Sequence, residues 1–417
     1  MYDFGVQGPS TIARQLTRLL QVRVSSTVIL LGLTSLFTDI SSEMVSAVLP
    51  LYLVLHLGFT PLHFGLVDGT YQGVTALVRV SGGLIADRGR RYKEVAGFGY
   101  ALSAACKLGL WSAGSAWLPT LGFLFLDRTG KGVRTPARDA LISLSSRPAG
   151  LAEAFGVHRA LDTAGALLGP LVAFALLGLV PGAYDVIFVV SFCVAVVGLG
   201  ILLFFVSNAT VPAEASEAAV SLRATGHLLR RPGVRGVVIA GGLLSVVTVS
   251  DSFVYLTFQR RALMDPQYFP LLFVGTALVY LLLAVPAGRL ADRTGRRTLF
   301  LVGHVLLGSV YLLLQRSEPG ALELAACLVL LGAYYASTDG VLMAIASSRL
   351  PAGLLTSGLA VLTTVTALGR LLASTAYGAL WTWWGAETTL TVFLLGLLAA
   401  TVGAGFVLGR TSPGAGT

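Results

Sequence analysis

LFLDRTGKGVRTPARDALISL, residues 124–144, places six charged side chains in a chain that is otherwise rich in apolar runs. Asp127, Lys131, Arg134 and Arg138 are spaced four, three and four apart, which at about 100° per residue lines them up on one narrow helical stripe. Arg128, Thr135 and Asp139 form a second stripe beside it. An Arg, Lys or Asp at the centre of a bilayer costs roughly 2.5–3.5 kcal/mol by insertion scales, so this helix cannot face lipid. It must turn to water, to a substrate or to opposing charges inside a bundle.

The surrounding sequence makes a bundle the natural context. Of 417 residues, 55% are hydrophobic and only 12% charged, which excludes a soluble globular domain. Crossing a bilayer takes about 20 helical residues. Twelve stretches are expected to do so: 27–55, 61–86, 95–114, 118–143, 152–179, 184–206, 234–257, 268–288, 298–315, 320–346, 354–379 and 386–408. Their length and the scarcity of period-two alternation favour helices over a closed barrel. The net charge of +9 is topological and does not call for a nucleic-acid partner. Basic residues such as Arg88, Arg91, Lys93, Arg235, Arg289 and Arg297 gather at one set of ends, and only Arg260, Arg261 and Arg316 sit at the other. That bias predicts a multi-pass protein of a bacterial plasma or inner membrane with both termini cytoplasmic. Cys106, Cys193 and Cys327 lie inside apolar stretches, so no disulfide framework, metal site or cofactor is expected. A first span that is long and contains Asp39 and Glu43 argues against a cleaved signal peptide.

Asp39 and Glu43 are four residues apart near the middle of the first span. They read either as a proton- or cation-coupling pair or as counter-charges for residues 124–144. In the second span Asp68, Gln72, Thr75 and Arg79 repeat the four-three-four spacing and read as another cavity wall. Lys107, in the middle of the third span, needs an acidic partner, and Asp127 lies at a matching depth.

The turn after the second span is GLIADRGRRYKEV (83–95), and after the eighth it is GRLADRTGRR (288–297). The second copy resembles the loop signature of the major facilitator superfamily at every fixed position, and the first is one residue shorter. The resemblance implies an all-α membrane protein of two pseudo-symmetric six-helix bundles, and a secondary transporter working by alternating access. It also implies a gating role for Asp87 and Asp292, with Arg88 and Arg293 beside them. Arg128-x-x-Lys131-Gly132 resembles the family motif R-x-x-Q-G, whose arginine is associated with proton transfer. Gly165-x-x-x-Gly169-Pro170 resembles the antiporter motif of the family's exporters. Small residues at that spacing let helices approach closely.

The expected division is a lead at 1–26, bundles at 27–206 and 234–409, a linker at 207–233 and a tail at 410–417. The second bundle is poorer in buried charge, with Asp251, Asp339 and Arg370 as exceptions. LLGAYYASTDG (330–340) is a candidate cavity wall, and His158, Arg159 and Asp162 join the cavity candidates of the first bundle. The functional expectation is proton-coupled antiport of a small organic molecule by a monomer, with Asp39 and Glu43 carrying protons beside Arg128 and Lys131. Lys131, Arg134, Arg138 and Arg159 motivate an alternative, transport of a phosphorylated or carboxylated anion. An embedded enzyme or a receptor is a remote third reading, because no nucleophile arrangement, nucleotide loop or His-rich cluster accompanies the helices.

Overall fold

The structure, a computed structural model, describes residues 24–89, 91–147, 150–208, 231–262, 264–316, 320–350 and 355–410, with side chains at all of these except 79–89, 152 and 355–357. The expected lead, most of the linker and the tail lie outside these residues, as do the side chains of Arg79, Asp87 and Arg88.

Every apolar stretch of the sequence is helical, and no strand occurs among the described residues. The helices are α1 (Ser26–Leu51), α2 (Pro61–Gly89), α3 (Tyr92–Ala113), α4 (Trp117–Leu144), α5 (Leu151–Leu179) and α6 (Tyr184–Phe205). They continue as α7 (Pro232–Val246), α8 (Asp251–Ala262), α9 (Phe269–Thr294), α10 (Arg296–Leu313), α11 (Ala321–Ser347) and α12 (Leu355–Arg410). Among the described residues, eight helical segments are long and apolar enough to cross a membrane. Of the named helices, α2, α3 and α4 are not among them. Outward faces elsewhere present Phe204, Leu282 and Phe406, each more than two-thirds exposed, as a surface turned to hydrocarbon must.

One correction to the expected spans arises from backbone chemistry. The stretch 234–257 is not one helix, because α7 ends at Val246 and α8 begins at Asp251. The Tyr311 hydroxyl fills the gap, accepting from the Val249 N–H at 2.7 Å and donating to the Val247 carbonyl at 3.2 Å. A break inside a bilayer is tolerated when freed backbone groups are satisfied in this way. The stretches 354–379 and 386–408 meet at Gly385, whose φ of 80° reverses the chain where a side chain would be strained. Trp383 and Trp384 stand exposed beside that turn.

The chain groups into two units, Met1–Val48 with Leu77–Ala218, and Leu49–Ala76 with Ala219–Thr417. In the first unit Val28, Leu31, Tyr100, Leu141, Ile142 and Leu202 form a buried core. There α3 and α4 touch through backbone: a Cβ on Gly99 would stand 2.6 Å from the Gly130 carbonyl oxygen. In the second unit the first half of α2 lies equally close to α12, where a Cβ on Gly65 would stand 2.4 Å from the Ser374 carbonyl oxygen. Nearby, Phe253 packs edge-on to Phe64 and tilted against Tyr377.

Candidate functional site

In the first unit the charged stripe of α4 meets opposing charges, one level after another. Asp127 comes first along α4, accepting from Lys107 Nζ at 2.8 Å, from Arg128 Nε at 2.9 Å and from the Ser103 hydroxyl. The partner expected for Lys107 is therefore the one observed, and Arg128 shares it. One turn on, Lys131 Nζ lies 3.9 Å from Glu43 Oε1, with both side chains about 30% exposed. Next, the buried Arg134 stacks on the Tyr100 ring, 4.5 Å from its centroid, and its Nη2 lies 3.7 Å from Asp39 Oδ1. Last, Arg138 donates to Ser35 Oγ at 3.1 Å and to Asp139 Oδ1 at 2.9 Å, with Asp162 Oδ1 at 3.5 Å.

The two ends of this ladder differ in kind. Around Asp127 the contacts are short, charge-assisted hydrogen bonds of the strong class. Around Asp39 and Glu43 they are ion pairs too long to be hydrogen bonds. Arg134 Nη1 and Asp162 Oδ1 are buried without a hydrogen-bond partner among the described residues. Hydrogen-bonding capacity is thus left over beside the acid pair, where a bond could be remade.

The glycines of α5 sit directly against this part of α1. A Cβ on Gly165 would lie 2.5 Å from the Leu36 carbonyl oxygen and 3.1 Å from Asp39 Cβ. One on Gly169 would lie 2.7 Å from the Ile40 carbonyl oxygen and 2.9 Å from Glu43 Cβ. The glycine motif and the acid pair, read separately from sequence, form one contact, and Pro170 follows it inside α5. His158, also on α5, shares a 3.0 Å hydrogen bond with Ser35 Oγ. Arg159 is 78% exposed, with its guanidinium 3.4 Å from Asp162.

The second unit holds a cleft of about 380 Å³ lined in part by Gln72, His304, Tyr334, Thr338, Asp339 and Arg370. Arg370 Nη2 lies 3.6 Å from Asp339 Oδ1. Asp251 accepts from the Tyr335 hydroxyl at 2.7 Å. Asp68 accepts from Ser374 Oγ at 2.5 Å, which joins α2 to α12. At the loop 288–297, Arg296 donates to Asp292 at 2.9 Å and to the Ala344 carbonyl near the end of α11 at 3.4 Å, and Arg293 is exposed. Ser103, Tyr100 and His304 were not singled out from sequence, whereas Tyr334 lies in the stretch 330–340 expected as a cavity wall. His304 had a visible signal, as a lone imidazole in the apolar run of α10. The other two are identified only by what packs against them. No group of three or more metal-ligating side chains occurs among the described residues.

The profile of the Major Facilitator Superfamily matches residues 31–264 and 252–417. An uncharacterized MFS-type transporter of Methanocaldococcus jannaschii is 30% identical over 374 residues, spanning 86% of this chain and 89% of that protein. An uncharacterized protein of Mycobacterium tuberculosis is 36% identical over 132 residues, about a third of each chain. Among solved structures, the nucleoside transporter NupG superposes with a TM-score of 0.78 at 12% identity over 92% of this chain and 99% of that one. A peptide transporter of the POT type superposes with a TM-score of 0.76 at 14% identity over 98% of this chain and 99% of that one. The chain belongs to the major facilitator superfamily, a family of multi-pass membrane transporters and not of enzymes.

Proposed function

We propose that this transporter exports a small organic molecule in exchange for protons, with Asp39 and Glu43 as the proton carriers. The observation that carries this reading is the state of the acid pair. The nearest cation to each carboxylate, Arg134 for Asp39 and Lys131 for Glu43, stands at 3.7 and 3.9 Å, beyond hydrogen-bond length, and Lys131 and Asp162 also act on Asp39. A proton on either acid releases its cation partner, and reforming the pair expels the proton. Because Gly165 and Gly169 seat α5 against those same turns of α1, protonation changes the charge at a helix contact able to shift. Arg128 is bonded to Asp127 rather than to the acid pair, so the cations that compete with protons are Lys131 and Arg134.

The anion reading has less support. Lys131, Arg134 and Arg138 each face a carboxylate of this chain, so an anionic substrate would have to displace it.

The test is proton release from purified protein at weakly buffered pH while a library of organic compounds is added. Compounds that bind are expected to release protons from the wild type but not from the Asp39→Asn, Glu43→Gln variant. Undiminished release from that variant would overturn the reading.

A further inference from the structure

The cleft of the second unit is lined by one carboxylate, Asp339, and one guanidinium, Arg370, and the buried carboxylate of Asp251 also acts on Arg370. Asp339 and Arg370 are 48% and 38% exposed in the cleft and stand 3.6 Å apart, so the pair is open and lacks a hydrogen bond. Three of the surrounding hydroxyls have their protons committed. Thr338 donates to the Tyr334 carbonyl at 2.8 Å, Thr248 to Leu244 at 2.8 Å, and Ser245 to Gly241 at 2.6 Å. Towards the cleft they retain only lone pairs. His304 Nδ1 lies 2.8 Å from the Phe300 carbonyl oxygen, which can only accept, so Nδ1 carries the hydrogen and Nε2 of the neutral imidazole is an acceptor. The lining therefore includes the acceptors of Thr338, Thr248, Ser245 and His304 with the Asp339 carboxylate, and, as donors, the Arg370 guanidinium and the Gln72 amide.

That distribution selects a ligand by charge. A lone cation at Asp339 would leave Arg370 to Asp251 alone, and a lone anion at Arg370 would strand Asp339. Leaving one member of such a pair uncompensated is costly. A neutral molecule gains nothing from separating them. A ligand carrying both charges replaces the pair on both sides and adds hydrogen bonds the pair lacks.

We propose that this cleft binds a small zwitterion, its carboxylate on Arg370 and its ammonium on Asp339 and the neighbouring hydroxyl oxygens. Phe300 and Leu342 line the same cleft and would take an apolar side chain. A cleft of about 380 Å³ is large enough for an amino acid of ordinary size. The proposal rests on the chain being a transporter of small organic molecules and names the class it carries.

The experiment is calorimetric titration of the purified full chain with the proteinogenic α-amino acids, followed by the methyl ester and N-acetyl form of the best binder. The zwitterion is expected to bind at least tenfold more tightly than either matched derivative. Arg370→Gln should narrow the preference over the cationic ester, and Asp339→Asn the preference over the N-acetyl anion. No binding by any amino acid, or equal binding of a singly charged derivative to the wild type, overturns the proposal. The outcome is separable from proton exchange. Zwitterion binding that releases no protons would leave this site standing and remove the antiport reading. Proton release by other compounds, with no amino acid bound, would do the reverse.

Discussion

At the scale of single residues, burial and charge matching around α4 account for most of what can be tested. Lys107 and Arg128 are 2% and 4% exposed, and both depend on Asp127. Asp127→Ala leaves two buried cations facing each other, and breaking a buried pair costs about 3–5 kcal/mol. A large fall in the melting temperature of the detergent-solubilised protein is expected. Adding Lys107→Met should recover part of it, whereas an unchanged melting temperature in the single variant would show that Asp127 does not hold the cluster. The Lys107–Asp127 pair was legible in sequence because two buried opposite charges at one depth leave little choice. The role of Tyr100 was not, since nothing in a tyrosine's position announces an arginine stacked on its ring.

Element by element, the informative places are where helices break or touch. The Tyr311 hydroxyl serves two backbone groups between α7 and α8. Tyr311→Phe leaves both unpaired, and an unsatisfied buried group costs about 1–3 kcal/mol. Thermal melting is expected to fall accordingly, and wild-type stability would mean that another group satisfies the break. At the α1–α5 contact, Gly169→Val places methyls where backbone stands 2.7–2.8 Å from a Cβ. Overpacking of that kind costs about 1–3 kcal/mol and should lower both stability and transport. Gly156→Ala is the control, because nothing lies within 4 Å of its Cβ position. Equal effects at the two glycines would contradict the close contact. The helices themselves were readable from apolar length, but the break at 247–250 was not. Its cause, Tyr311, is more than sixty residues away.

For the whole molecule, the basic residues gathered at one set of helix ends predict cytoplasmic termini. A green fluorescent protein fused after Thr417 should fluoresce in cells, and alkaline phosphatase at the same point should be inactive. An active phosphatase would reverse the orientation and, with it, the reading of transport as export. The two units carry different chemistry, a ladder of matched charges in the first and an open ion pair in an acceptor-rich cleft in the second. Under the proposed reading the first serves the proton and the second the cargo.

The amino-acid sequence by itself determined the membrane environment, the helical class and the family. Those follow from apolar length, charge bias and the GRLADRTGRR loop, all of which are properties of neighbouring residues. It also marked the charged residues that needed partners, because a bilayer makes every unpaired charge costly. Only the tertiary structure decided which cation met which carboxylate and at what distance. Asp127 and Asp39 are both acids in apolar spans. One is bound by short hydrogen bonds and the other by a longer ion pair, and that difference depends on how α1, α3 and α4 pack.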